Sequence, residues 1–207
     1  MIKAILFDVD GVLITGKYKY FSDRFSKEHG VPNDMIMKFF RDDFPACAIG
    51  KADLKEALAK YLPEWNWRGT VDNFLEYWFS GENEKNERLM KFIEELRKRG
   101  IKCYLSTGQE KYRMEFLRKI LQSENNFDGE FVSNEIGFSK KEKEFWREVM
   151  KKLSDYRPEE ILLVDNDQKV LEIAKEFGIE GRVFEGLEKF EKMVLKEISL
   201  IREKINQ

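Results

Sequence analysis

Three short runs along the chain are apolar, and each is followed by polar residues and then by a segment with helical spacing. Ala4–Phe7 leads into Asp8, Asp10 and Gly11, Lys102–Leu105 into Ser106, Thr107 and Gly108, and Ile161–Val164 into Asp165, Asn166 and Asp167. A continuous apolar run marks a strand covered on both faces, whereas alternation marks one covered on a single face. The segments between these strands carry helical stripes. Leu89, Phe92, Ile93 and Leu96 form one, with Arg97, Lys98 and Arg99 in the last turn and Gly100 as a stop. Phe116, Leu117, Ile120 and Leu121 mark a second, and Phe145, Trp146, Val149, Met150 and Leu153 a third. A fourth, with Val170, Leu171, Ala174 and Phe177, ends at Gly178. Strand alternating with helix predicts an α/β fold, an open, doubly wound parallel sheet.

Residues 16–82 break that alternation and read as helix only. Tyr20–His29 stops at Gly30, and Asn33–Arg41 follows Pro32. Asp53 with Glu56 makes a capping-box-like start for a helix reaching Leu62, stopped by Pro63, and Thr70 opens one with Val71, Phe74, Leu75 and Trp78 on a face. Such a block is too long for one crossover. It predicts a small all-helical domain at 16–82 inserted into an α/β core made of 1–15 and 83–207. Leu187, Phe190, Val194, Ile198, Ile201 and Ile205 spell one long amphipathic helix. It is expected to pack on the sheet, with a contact between two copies as the alternative, so a monomer or a homodimer is expected.

Composition narrows the class of protein. Of the 207 residues, 42% are apolar and 14% aromatic, enough for a real core. Charged residues reach 37%, but 37 Lys+Arg nearly cancel 39 Asp+Glu, so neither nucleic acid nor a membrane is expected as a partner. Cys47 and Cys103 cannot build a disulfide framework and belong to no zinc-like cluster, which reads as buried thiols in a reducing compartment. No run approaches the roughly 18 apolar residues of a membrane span, and Met1–Phe7 lacks a signal-peptide layout. A cytoplasmic protein is expected.

Ligands of such sheets sit at the carboxyl ends of the strands, where the strand order switches. Asp8 and Asp10, Thr107 and Gly108, and Asp165, Asn166 and Asp167 all fall there. Clustered carboxylates repel and call for a cation, and hard oxygen ligands favour Mg²⁺, whose coordination is completed by water and substrate phosphate. A carboxylate can attack phosphorus directly and form an aspartyl-phosphate. Strand alternation points Asp8 and Asp10 to one side, so one can be nucleophile while the other protonates the leaving group and later activates water. Thr107 and the Gly108 N–H, read as opening a helix, suit phosphoryl oxygens, and a nearby cation would offset their charge.

These residues resemble a known family. Phe7-Asp8-Val9-Asp10-Gly11-Val12-Leu13 is similar to the first motif of the haloacid dehalogenase-like superfamily of phosphohydrolases. Leu105-Ser106-Thr107-Gly108-Gln109 resembles its second motif, Ser133–Lys140 its third and Leu162-Leu163-Val164-Asp165-Asn166 its fourth. The resemblance spans about residues 1–186, and the helical insert corresponds to the cap that such enzymes carry after motif one. It implies Asp8 as nucleophile and magnesium ligand, and Asp10 as general acid/base and, through its main-chain carbonyl, a second ligand. It also implies Thr107, Gly108 and Lys140 around the phosphoryl group and Asp165 completing the metal site, with Asn166 offering an oxygen. The second aspartate is carried by the phosphatases of the superfamily and not by its dehalogenases. The implied activity is magnesium-dependent hydrolysis of a small phosphomonoester, a sugar phosphate or nucleotide. A phosphomutase on the same core, a non-catalytic scaffold and a dehalogenase are the alternatives.

Three positions depart from the motifs: Gly108 replaces the common Asn, Lys141 the usual proline, and Asn166 an expected acid with Asp167 one position later. Lys141 leaves open which lysine faces the site, and Asn166 implies weaker or more selective metal binding. Tyr18, Tyr20, Phe21, Trp65, Trp67 and Trp78 are expected mainly as core of the insert, and Arg24, Arg41 and Lys51 as solvated charges. Ser106 is expected to be structural, and His29 to lie at a helix C-terminus.

Overall fold

The first strand sits in the middle of the sheet, because its side chains are apolar on both faces. A computed structural model describes residues 1–15 and 20–205, the side chains of 197–205 excepted. From the N-terminus the elements are β1 (Ala4–Phe7), β2 (Ile14–Thr15), α1 (Phe21–His29), α2 (Asn33–Asp42), α3 (Phe44–Ala48), α4 (Leu54–Tyr61), α5 (Val71–Ser80) and β3 (Glu84–Lys85). There follow α6 (Glu87–Lys98), β4 (Lys102–Thr107), α7 (Lys111–Leu121), α8 (Ser123–Asn126), β5 (Glu130–Val132) and α9 (Ser133–Ile136). The chain continues with α10 (Lys143–Lys152), β6 (Ile161–Asp165), α11 (Gln168–Lys175), β7 (Glu180–Val183) and α12 (Leu187–Ile205).

The main sheet has five strands in the order β5-β4-β1-β6-β7, all parallel. β1 pairs Ala4–Phe7 with Lys102–Leu105 on one side and with Ile161–Val164 on the other. Alternation along β1 sorts its side chains between two cores. Ile5 and Phe7 pack with Leu89, Ile93, Leu117 and Phe190 from α6, α7 and α12. Ala4 and Leu6 pack with Phe145, Trp146 and Val149 of α10 and Ala174 of α11. Each large side chain so buried contributes about 1.5–3 kcal/mol relative to exposure. This is the doubly wound α/β architecture.

β5 and β7 are not among the strands expected from apolar runs. Glu130-Phe131-Val132 and Glu180-Gly181-Arg182-Val183 are short edge strands broken by polar residues or glycine, and only one flank of each is paired. A second, two-stranded antiparallel ribbon joins β2 to β3. That ribbon delays the start of α6 to Glu87, behind the N-cap Asn86.

Helices α1–α5 lie between the two ribbon strands and share a core of their own. Phe25, Ile36, Phe39, Leu58, Trp65 and Phe74 are all buried in it. Many of its rings meet edge to face, as at Phe25 and Phe74, whose centroids are 5.4 Å apart, while Phe21 and Phe25 stack. Phe21, Trp65 and Trp78 are therefore structural, while Tyr20 is exposed and Tyr18 lies outside the described residues. Asp53 caps α4 by accepting from the amides of Lys55 and Glu56, and Thr70 and Asn73 form a full capping box on α5. Leu187, Phe190 and Val194 of α12 are buried against the sheet. Ile198, Ile201 and Ile205 fall outside the described side chains. No helix among the described residues is long and apolar enough to cross a membrane.

Candidate active site

The strand ends converge on Lys140. β1 places Asp8 just beyond Phe7, where its amide donates to the Val164 carbonyl at 2.9 Å. β6 ends in Asp165, and Lys140 arrives from the turn between α9 and α10, after Gly137 closes α9 at φ 85°. The Lys140 ammonium donates to Asp8 Oδ1 at 2.6 Å, to Asp165 Oδ2 at 2.7 Å and to the Ser106 carbonyl at 3.2 Å. Asp8, Lys140 and Asp165 are all buried. Lys141 instead pairs with Asp167 at 2.7 Å at the surface, so the lysine facing the carboxylates is Lys140.

Two carboxylates around one ammonium leave this buried cluster with a net negative charge. Burial pushes the Asp8 carboxyl up to about 7, opposed by Lys140 and reinforced by the negative charges of Asp165 and Asp10. For Lys140, burial alone would favour the neutral amine. The attractions of Asp8 and Asp165 outweigh it and move its pKa above the ordinary lysine value.

Asp10 is exposed but held on both oxygens. Gln109 Nε2 donates to its Oδ2 at 2.5 Å, and Arg113 Nη2 lies 3.6 Å from its Oδ1. The same Gln109 nitrogen is 3.3 Å from Thr107 Oγ1, tying the end of β4 to the end of β1. Neither Gln109 nor Arg113 was among the sequence candidates. Gln109 is the last residue of the second motif and carries no role there, and nothing in the helical spacing of α7 marks Arg113, whose partners, Phe79 and Glu82, come from a distant segment.

Thr107 is the last residue of β4 and is buried, while Gly108 is exposed, with open space where a Cβ would stand. The expectation that Gly108 opens a helix is corrected. α7 begins at Lys111, and Glu110 caps it by accepting from the Tyr112 and Arg113 amides. Any anion at Gly108 would meet loop amides, not a helix end.

Asn166 is exposed and donates through Nδ2 to the main-chain carbonyl of Asp10 at 3.0 Å. Gly11, at φ +81°, makes room for it: a Cβ there would stand 2.1 Å from Asn166 Nδ2. The oxygen donors suited to a hard divalent cation are the Asp8 carboxylate, the Asp10 carbonyl and the Asn166 amide oxygen. Asp165, the further ligand expected from the sequence, accepts one bond on each oxygen, from Lys140 on Oδ2 and from the Asp167 amide on Oδ1 at 2.8 Å, and keeps lone pairs for a cation. Among the described residues, no three His, Cys, Asp or Glu groups are grouped to hold a metal ion. A carbonyl and an amide would have to complete the set, and their chemistry fits magnesium.

Other candidates fall elsewhere. Arg24 is buried on the Tyr77 and Trp78 carbonyls at 2.6 and 3.1 Å, so it is unavailable to a substrate. Lys51 lines a cleft of about 360 Å³ where the α3–α4 loop meets α7, with Asp53, Glu110 and Tyr112. None of Asp8, Asp10, Thr107 or Lys140 lines that cleft, which marks it as a gap between layers and not as the reaction centre. Ser106 Oγ is buried without a partner, in keeping with a structural role. His29 lies exposed in the last turn of α1, stacked on Phe25 with ring centroids 4.6 Å apart.

Sheet order, strand-end carboxylates and buried lysine together define a hydrolase of the haloacid dehalogenase-like type. The family model described as haloacid dehalogenase-like hydrolase matches residues 2–178, and the chain belongs to that family. Solved structures share the fold. A HAD family enzyme of Bacteroides thetaiotaomicron, in complex with magnesium and inorganic phosphate, matches with a TM-score of 0.75 and 20% identity over 88% of this chain and 94% of that one. A HAD-like family hydrolase of Porphyromonas gingivalis gives 0.73 and 21% over 88% and 91%. The L-2-haloacid dehalogenase of Xanthobacter autotrophicus, with chloropropionic acid covalently bound, gives 0.61 and 18% over 87% and 76%.

Proposed function

We infer that the protein is a magnesium-dependent phosphatase acting on a small phosphomonoester through an aspartyl-phosphate. The observation that carries this reading is Asp10, an exposed carboxyl held beside the site by Gln109 and Arg113. A halide departs without a proton, but the alkoxide of an ester needs one, so a placed proton donor serves the first step of ester cleavage and has no counterpart in halide departure. The fold neighbour crystallised with magnesium and inorganic phosphate supports the same reading.

In the first step an Asp8 carboxylate oxygen attacks phosphorus, the bond from phosphorus to the ester oxygen breaks, and that oxygen takes the Asp10 proton. In the second, Asp10 removes a proton from water. The water oxygen attacks phosphorus, the acyl-phosphate bond breaks, and phosphate leaves with Asp8 restored. Lys140 neutralises charge beside Asp8, and Thr107 with the open Gly108 amide receives phosphoryl oxygens. Magnesium, held by Asp8, the Asp10 carbonyl, Asp165 and Asn166, would supply positive charge to the phosphoryl group and favour the ionised nucleophile. Asp165 also orients Lys140. Helices α1–α5 serve as a cap domain that shuts the site from bulk water.

The test is release of phosphate from p-nitrophenyl phosphate and a panel of sugar and nucleoside phosphates, with and without magnesium, by wild type and Asp8→Asn. Turnover that needs both magnesium and Asp8, with label from ¹⁸O-water in the product, is expected. Phosphate transferred within the substrate without release would indicate a mutase. Chloride release from 2-chloropropionate with no phosphate-ester turnover would overturn the reading.

A further inference from the structure

Two buried guanidinium groups grip the end of α5, and they come from different layers. Arg24, from α1, belongs to the same helical unit as α5, and Gly81 is packed so closely that a Cβ there would stand 1.6 Å from Arg24 Nη1. Arg113, from α7 beside the sheet, crosses to the segment returning from that unit. Its Nη1 donates to the Phe79 carbonyl at 3.2 Å and its Nη2 to the Glu82 carbonyl at 2.5 Å. The guanidinium also lies 5.4 Å from the centroids of both Phe79 and Phe116, which stand side by side 5.6 Å apart. The remaining reach of Nη2 is toward Asp10 Oδ1, at 3.6 Å.

Holding helix-end carbonyls would be a sufficient structural reason for a buried arginine, and Arg24 does that while packing over the Tyr77 ring at 4.3 Å. Arg113 differs in facing Asp10. A guanidinium is a rigid planar fork, so its direction toward Asp10 is set by where the Phe79 and Glu82 carbonyls stand. At 3.6 Å the pair is an ion pair without a tight hydrogen bond, so it steers the carboxylate and leaves it free to turn.

We propose that Arg113 is a positioning residue for the reaction, aiming Asp10 at the leaving group according to the seating of the linker from the helical unit. This rests on the reading of Asp10 as general acid/base. Gln109 secures the other Asp10 oxygen from the core side, so the carboxylate is suspended between a fixed partner and one tied to the helical layer.

The experiment compares kcat/KM for an aryl ester, p-nitrophenyl phosphate, with that for an alkyl ester, glycerol phosphate. This ratio reports the step up to the aspartyl-phosphate, where a poor alkoxide leaving group needs a proton and nitrophenolate does not. Arg113→Met is expected to lower the alkyl value at least about tenfold more than the aryl value. Arg113→Lys should restore part of the loss, and in an Asp10→Asn background Arg113→Met should change neither ester by more than about twofold. A merely structural arginine would depress both esters alike, with the same factor in either background, and that result overturns the proposal. If Arg113→Met does not fold, as judged by its thermal melt, Arg113→Lys carries the same comparison. Wild-type protein that turns over neither ester overturns the reading of the site itself, whereas wild-type turnover with equal losses overturns only the role of Arg113.

Discussion

Trp146 donates its indole N–H to the main-chain carbonyl of Lys140 at 2.8 Å. The ring is fully buried under the sheet, so this bond fixes the backbone from which the lysine reaches two strand ends. Trp146→Phe keeps most of the apolar bulk but leaves the buried carbonyl without its donor. Urea denaturation should show a loss of about 1–3 kcal/mol. Phosphatase turnover should fall with it, since the lysine then loses its anchored root.

The neighbouring lysines should behave as opposites. Lys140→Met leaves Asp8 and Asp165 buried with no cation between them, and turnover should drop by about a hundredfold or more. Breaking that buried cluster should also cost about 3–5 kcal/mol of stability. Lys141→Met removes an exposed pair with Asp167 and should change stability by less than about 1 kcal/mol, with turnover nearly intact. Parallel turnover and denaturation measurements on the two variants check this, and equal losses would reassign the lysines.

Gly11 and Asn166 should be coupled. Gly11→Ala incurs about 1–2 kcal/mol for its left-handed backbone and also displaces the Asn166 amide. Magnesium affinity, read by calorimetric titration, should weaken about 10–100-fold. Asn166→Ala alone should weaken it too, and adding Gly11→Ala to that variant should cost much less than it does in wild type. Additive losses in the double variant would show the two residues to be independent.

Glu160 gives the protein an acid-dependent element remote from the site. Its carboxyl lies 2.8 Å from the Lys3 ammonium and accepts from the Arg157 amide at 3.0 Å. Those partners, Lys3 foremost, hold it down at about 2. Because the folded value lies below the unfolded one, the unfolded chain takes up the proton first as pH falls. The stabilisation is complete above the ordinary glutamate range near 4.5 and is lost as pH falls toward about 2. The difference in melting temperature between wild type and Glu160→Gln should be constant from pH 7 to 5 and shrink through that window.

What the sequence makes legible is what local pattern encodes. Ala4–Phe7 and Ile161–Val164 are apolar because both faces are covered, and the acids that follow them therefore stand at strand ends. β5 and β7 escape because an edge strand pairs on one side only and tolerates glutamate, glycine and arginine. The choice between Lys140 and Lys141 depends on the turn after Gly137, and Asn166 meets the Asp10 carbonyl only once β1 and β6 are adjacent. Arg113 is the least legible residue, since helical spacing cannot reveal that carbonyls over thirty positions earlier will surround it. The helix expected at Gly108 starts three residues later, at Lys111, where the Glu110 side chain accepts from the Tyr112 and Arg113 amides.

Ser133 bridges the helical unit and the core at one point of their seam. Its hydroxyl lies 2.5 Å from the Ala48 carbonyl in the helical unit and 3.2 Å from the Gln109 carbonyl in the core. A serine has one proton to give, so the two acceptors compete for it. Parting the layers would hand that proton to Gln109 and strand no buried donor, while the Ala48 oxygen would pass to water. Losing this one contact thus carries little enthalpic cost, and the same hydroxyl is ready to reclaim its first partner on return.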